Sequence, residues 1–290
     1  TGIEFENTKP YTVSRIIARS PADKKGVNIK PGDVLVAVNG EAVNPVKNRN
    51  MYFTQPALLR EIKLTFKRGA ESFDISLHPA VSVSGNLYDE WIDANQKRVD
   101  DKTKQRIAYV HMKDMGGSEL NSFLTDMARD FYQKDGLIFD LRYNTGGNVH
   151  DEVFRFLSQR TYLNWKYRNG SITGQSNFAP ADKPIVLLIN EQSLSDAEMT
   201  AAGFKALKLG TVIGNETYRW IIFTTGAGLV DGSFLRLPSW GCYTLDGKDL
   251  EFAGVQPDIK VLNSFEDKQN GRDPQLDKAI EFILEQVKAP

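Results

Sequence analysis

The stretch Asn190-Glu191-Gln192-Ser193-Leu194-Ser195-Asp196-Ala197-Glu198-Met199 carries the most concentrated chemistry in this chain. It follows an apolar run, Pro184 to Ile189, and opens a helix-like run that ends near Gly210. A strand feeding a helix through a short turn delivers Ser195 to the helix N-terminus. Free N–H groups and the positive end of the helix dipole gather there. A serine at such a corner can be a nucleophile with an oxyanion site beside it. The same residues have a plainer use. Ser195 and Glu198 have the spacing of a capping box, and Ser193 could also cap the helix.

A second corner changes the weighing. Asp140-Leu141-Arg142-Tyr143-Asn144-Thr145-Gly146-Gly147-Asn148 is a glycine-bearing turn after an apolar strand. Paired glycines let backbone N–H groups come close to a ligand, although Gly146-Gly147 also suits a tight strand-to-helix turn. Two such turns in a parallel sheet emerge at one edge, where α/β folds place their active sites. Other reactive side chains are sparse. His78, His111 and His150 and the single Cys242 have no metal-ligand spacing, and no cofactor is expected. His150 lies close enough to Gly147 to reach the cleft as a base. Cys242 reads as a small buried hydrophobe. The turn at Gly146 lacks the lysine and length of a phosphate-binding loop.

The elements that must position these corners fall into two styles. The first eighty or so residues read as a β-rich module. Thr12–Ala18 is a strand, and Ser20-Pro21 caps and opens a helical turn that Gly26 stops. Pro31-Gly32-Asp33 is a turn before the buried strand Val34–Val38, and Asn39-Gly40 makes a tight hairpin. Ile62–Phe66 and Ser72–Leu77 form a further strand pair. Tyr88 to Lys104 is a polar helical connector with Trp91, Ile92, Asn95 and Val99 on one face. Strands and helices then alternate: strand 106–112, helix 118–133, strand 137–141, helix 150–157, strand 185–189, the helix from Asp196, strand 211–213 and a last helix opened by Asp273-Pro274. That order predicts a largely parallel sheet flanked by helices.

Composition excludes several partners. The chain has 290 residues and a formal net charge of −1, so no nucleic-acid groove or polybasic membrane surface is expected. The longest apolar runs are too short to cross a bilayer. Thr1-Gly2-Ile3-Glu4 does not begin a signal peptide, though a leader could have been removed upstream. One cysteine allows no internal disulfide, which fits cytosolic and many periplasmic proteins alike and leaves the compartment open.

The segment from Ile16 to Val43 resembles a PDZ domain of the bacterial protease type, with its small-residue helix start, Pro-Gly-Asp turn and Asn-Gly hairpin in order. From Tyr11 to Ile283 the chain resembles the C-terminal half of the tricorn proteases, within the tail-specific (C-terminal processing) serine proteases. The matching text includes residues 89–99, 106–116, 136–149, 190–199, 208–218, 251–261 and 273–280. The resemblance implies a PDZ domain at 1–82, a helical connector at 83–105 and a crotonase/ClpP-like α/β protease core at 106–290. It implies Ser195 as nucleophile and the Asp196 N–H as one oxyanion donor. The second donor would come from Gly146 or Gly147. Glu251, before Gly254-Val255, matches the glutamate that helps organise the charge-relay side; without the family it reads as an exposed strand-end acid.

The chain also departs from that pattern. Trp220 falls where most tail-specific proteases carry a lysine base. Tricorn proteases use a histidine in a Ser-His pair ahead of the PDZ module, and His78, His111 and His150 do not match it. Arg219-Trp220-Ile221-Ile222 replaces a glycine-rich turn. The resemblance therefore implies a serine endopeptidase acting on unfolded or oligopeptide substrates, with its base histidine in an upstream segment. PDZ binding of peptide C-termini and a homo-oligomer are further expectations. The rival reading is a degenerate protease that keeps its peptide groove without turnover.

Overall fold

The computed structural model describes residues 1–54 and 60–287. It divides into two compact units, Thr1–Ala94 and Asn95–Pro290, and the division falls inside the helix α1 (Ser84–Thr103).

In the first unit, β1 (Ile3–Phe5) pairs antiparallel with β2 (Val13–Ile16). A four-stranded antiparallel sheet, ordered β4-β3-β5-β6, comprises β3 (Val34–Val38), β4 (Glu41–Ala42), β5 (Ile62–Arg68) and β6 (Glu71–Leu77). The β3–β4 hairpin turns on Asn39 and Gly40 at φ 50° and 83°, the pair of positive angles a two-residue turn of this hand requires. Period-2 alternation places Ile62, Leu64 and Phe66 in a core with Val13, Leu35 and Val38. The turn at Pro21–Asp23 is a short 3-10 helix, and Ser20 makes no side-chain cap bond there. Its buried hydroxyl is instead packed against Gly2, where a Cβ would sit 2.0 Å from Ser20 Oγ. A cavity of about 520 Å³ opens beside β1, lined in part by Ile3, Phe5, Arg49, Phe53 and Ile62.

The second unit is built on five parallel strands in the order β15-β12-β11-β8-β7. They are β7 (Ile107–His111), β8 (Gly136–Asp140), β11 (Ile185–Ile189), β12 (Thr211–Gly214) and β15 (Ile259–Lys260). Every residue of β8 and β11 is buried, as expected of strands covered on both faces. Leu137, Phe139, Ile185, Leu187 and Ile189 pack with side chains of α2 (Gly117–Arg129), α3 (His150–Leu157) and α4 (Asp196–Ala206). On the sheet also lies α7 (Pro274–Gln286), which contacts β8, β11 and β12 and buries Leu276, Ala279, Ile280 and Ile283. Its start is fixed by Pro274 in the first turn and by the Asp273 carboxylate, which accepts from Leu276 N. Short helices α5 (Leu250–Ala253) and α6 (Phe265–Gln269) flank β15 in sequence.

Two hairpins have no counterpart in the reading of the sequence: β9 (Leu163–Lys166) with β10 (Ile172–Gln175), and β13 (Ile222–Gly228) with β14 (Phe234–Gly241). Their large apolar side chains, among them Trp165, Phe234 and Trp240, are exposed. Among the described residues no helix is long and apolar enough to cross a membrane.

Candidate active site

The two corners singled out in the sequence leave the C-terminal ends of neighbouring strands, β8 and β11, which are in register at Asp140 and Leu188. They interlock through buried polar groups. Tyr143 N donates to Asn190 Oδ1 (3.0 Å), Leu194 N donates to Asn144 O (3.1 Å) and Ser193 Oγ donates to Leu141 O (2.8 Å). Asn144 spans its own turn: its Oδ1 accepts from Gly146 N (2.8 Å) and its Nδ2 donates to Met112 O (2.9 Å). Satisfied networks of this kind hold loops as firmly as strands.

The two serines separate cleanly. Ser193 is fully buried and its hydroxyl both donates to Leu141 O and accepts from Asn190 N, so it is a structural tie. Ser195 sits at φ 55°, ψ −117°, a conformation costly for any residue with a Cβ and typical of strained functional corners. The expected capping box is in place: Ser195 N donates to Glu198 Oε1 (3.1 Å) and the Ser195 side chain faces the Glu198 amide, without a full hydrogen bond to the hydroxyl. That hydroxyl is left for other chemistry.

Gly146 lies against it. A Cβ on Gly146 would stand 2.6 Å from Ser195 Cβ and 3.1 Å from Ser195 Oγ, so glycine is required by space as well as by its φ of 79°. The paired glycines differ in what their amides do. Gly146 N is used by Asn144, whereas Gly147 N has no hydrogen-bond partner among the described residues. Gly147 is itself pressed on the backbone of Met115, which receives Asn148 N (2.8 Å) and donates to Gly146 O (2.8 Å). The Asp196 amide, at the first position of α4, is likewise unpartnered among the described residues.

The Asp196 carboxylate is buried and reaches the other corner. Its Oδ2 accepts from Val149 N (2.8 Å) and its Oδ1 accepts from His150 Nδ1–H (2.5 Å). Glu198 is also fully buried. Its Oε1 accepts from the amides of Ser195 and Trp220 (3.1 and 2.8 Å). Its Oε2 accepts from Thr217 Oγ1 and the Arg219 amide (2.6 and 2.8 Å). Sequence reasoning saw Glu198 only as a cap partner. An acid among the alanines of α4 was the available signal. The Asp196–His150 contact, spanning 46 positions, left no local signal.

Beneath the corners lies a buried ion network. Arg142 is held by Asp140 (2.7 Å) and Asp273 (2.8 Å), and Tyr109 Oη donates to Asp140 (2.8 Å). Burial opposes the Arg142 charge, but the two carboxylates outweigh it and hold the guanidinium well above its ordinary value. Burial likewise opposes ionisation of Asp273, and Arg142 keeps its carboxyl below the usual range. The network ties the end of β8 to the start of α7. The His111 side chain is buried at the end of β7, and burial lowers its pKa to about 4. Burial raises the Cys242 thiol, with Asp249 and Glu198 adding to the effect, which suits a packed hydrophobe.

The charge-relay candidates are placed differently. Glu251 is exposed on α5, where the Asp249 side chain accepts from its amide. No hydrogen bond joins its carboxylate to the Ser195 corner among the described residues. Trp220 is half exposed and engages Glu198 only through its amide. His78 lies just past β6 in the first unit. The arrangement thus packs the Ser195 hydroxyl against Gly146, with unpartnered amides at Gly147 and at Asp196 on the two corners.

Comparison with known proteins agrees with this architecture. Residues 4–79 match the Tricorn protease PDZ domain, and residues 106–261 match Peptidase family S41. Tricorn protease homolog 1 of Streptomyces coelicolor is 32% identical over 97% of this chain and 26% of its own length. The tricorn protease of Thermoplasma acidophilum is 29% identical over 93% of this chain and 25% of its own. The carboxy-terminal processing protease CtpA of Bacillus subtilis is 28% identical over 84% of this chain and 52% of its own. A crystal structure of the tricorn protease superposes with a TM-score of 0.79 at 25% identity, over 100% of this chain and 28% of that one. The chain spans about a quarter of the length of the tricorn relatives it matches. The S41 match covers more than half of the residues, and the chain therefore belongs to peptidase family S41, carrying a tricorn-type PDZ domain ahead of its protease core.

Proposed function

We propose that this chain holds the acyl-transfer centre of a serine endopeptidase of the tricorn and tail-specific type, acting on unfolded or oligopeptide substrates. The observation that carries the reading is the Ser195 hydroxyl, uncommitted on a strained turn and packed against Gly146, with the Asp196 and Gly147 amides unpartnered. Ser195 Oγ would bond to the scissile carbonyl carbon as a base takes its proton. The carbonyl oxygen would gain negative charge and receive the two N–H groups. Collapse would expel the amine, protonated by the same base, and water would then release the acyl group by the reverse steps. Losing one such donor typically costs about 3 kcal/mol in the transition state.

The base is proposed to be a histidine of a segment outside these residues. The exposed Glu251 carboxylate would help to orient it. The PDZ domain would take an extended peptide by strand addition along β1, whose only strand partner among the described residues is β2. The cavity beside β1 supplies apolar side chains and the Arg49 guanidinium to such a guest. A peptide-binding module without turnover is the second reading. It is favoured by the absence, among the described residues, of a histidine or lysine hydrogen-bonded to the Ser195 hydroxyl.

A fluorophosphonate probe tests the two. Covalent labelling at Ser195, abolished in Ser195→Ala, supports the peptidase. An unlabelled but peptide-binding protein, both alone and in a longer chain that includes the upstream segment, supports the module.

A further inference from the structure

Two side-chain groups at the site have no part in acyl transfer as proposed: the His150 imidazole and the Asp196 carboxylate. Their positions are nevertheless specific. The Asp196 amide is one oxyanion donor, on the corner after β11. The Gly147 amide is the other, on the corner after β8. A pair of donors is effective only if their separation is fixed closely, because hydrogen bonds weaken steeply with distance and angle. Ties between the corners exist at Leu194–Asn144, Tyr143–Asn190 and Ser193–Leu141, but all lie before Gly146. After Gly147, the bonds recorded between the corners converge on the Asp196 carboxylate, which receives Val149 N and His150 Nδ1–H.

We infer that His150 and Asp196 form a clasp that sets the spacing of the two oxyanion amides, with His150 a positioning residue rather than the base; the role in catalysis rests on the acyl-transfer reading above. Three features support the assignment. The Asp196 side chain is 2% exposed and that of His150 18%, so the bond works where water competes little. Asp196 supplies a donor from its amide and grips the opposite corner with its carboxylate, so one residue couples both halves of the site. His150 is the first residue of α3, and its ring also meets Phe154 one turn on in an edge-on contact. Its Nε2 lies 3.8 Å from the exposed Asp151 carboxylate.

Two substitutions separate positioning from base catalysis. The side-chain amide of asparagine can place an N–H donor near the position of histidine Nδ1, but it cannot accept a proton from serine. Amide hydrogen exchange at Asn148, Val149 and Leu194 reads the clasp directly, with folding checked by thermal melting. His150→Ala is expected to speed exchange at these amides about tenfold, the usual scale for a lost hydrogen bond to a charged group, while His150→Asn stays close to the parent. Fluorophosphonate labelling of Ser195 should follow the same order, slowed about tenfold by alanine and largely restored by asparagine. Unchanged exchange in His150→Ala overturns the clasp, even where Ser195 labels normally. Normal exchange but equal loss of labelling in both variants overturns positioning in favour of a base. A Ser195 that is inert both in the parent and in a longer chain that includes the upstream segment, with the exchange order as expected, overturns the acyl-transfer reading and leaves the clasp standing.

Discussion

The Ser195–Gly146 corner and the positions of Glu251 and Trp220 are built on opposite plans. The first is closed. Asn144, Asn190, Ser193, Asp196 and Glu198 are all buried and hydrogen-bonded, and two amides are the notable exceptions. The second is open. Glu251 and Trp220 turn exposed side chains to solvent, and Trp220 meets the first corner through its backbone alone. Under the proposed acyl-transfer reading, the contrast separates the two halves of serine catalysis. Stabilising a charged oxygen needs rigid dipoles and can be completed within one set of packed loops. Supplying and removing a proton needs a mobile, titratable partner, which another segment can bring.

The contrast can be broken most severely from below. Replacing Arg142 with methionine leaves Asp140 and Asp273 buried without their counter-charge, and the second unit should lose about 3–5 kcal/mol, read as a drop in denaturation midpoint. Gly146→Ala attacks the closed corner itself. Its Cβ would meet Ser195 Cβ at 2.6 Å on a backbone at φ 79°, and Ser195 labelling should slow by about two orders of magnitude or more. Intact labelling would mean that the corner is softer than its hydrogen bonds imply.

His111 gives a graded test. Its folded pKa is depressed from 6.5 to about 4, so the folded state prefers the neutral ring and the unfolded chain takes up the proton first. Its contribution to stability is therefore full above pH 6.5 and is lost as the pH falls towards 4, by about 3 kcal/mol at most. An NMR titration should find the His111 ring neutral down to about pH 4 in the folded protein. Glu251→Gln should do least. In these 290 residues it should change neither stability, by more than about 0.5 kcal/mol, nor Ser195 labelling beyond twofold. A large effect here would show that the open side is already engaged.

Much of the fold was legible because its signals are local. The apolar runs of β8 and β11, the Asn39-Gly40 hairpin and the Asp273-Pro274 helix start each carry their cause within a few residues. Ser195 and the paired glycines could be brought to one edge by the alternation of strands and helices. What stayed hidden depends on distant contacts. Whether Gly146 or Gly147 keeps a free amide is decided by the Asn144 side chain. The positive φ of Ser195 follows from loops that lock together across two strands. The hairpins β9–β10 and β13–β14 escaped because their apolar residues face outward, without the inward alternation that marks a core strand. Pro238 inside β14 also argued against a strand.

Glu198 has one more implication, for tolerance of sequence change. It grips the loop at 219 and 220 by main-chain N–H groups, so the identity of the side chains there is immaterial to the grip. Position 220 can accept many side chains without disturbing the grip, whereas Arg219, at φ 71°, stands in the left-handed region that favours glycine, and proline, lacking the donor, is forbidden at both. The arginine and tryptophan found there can therefore shape the surface beside the serine turn while the Glu198 grip stays as it is.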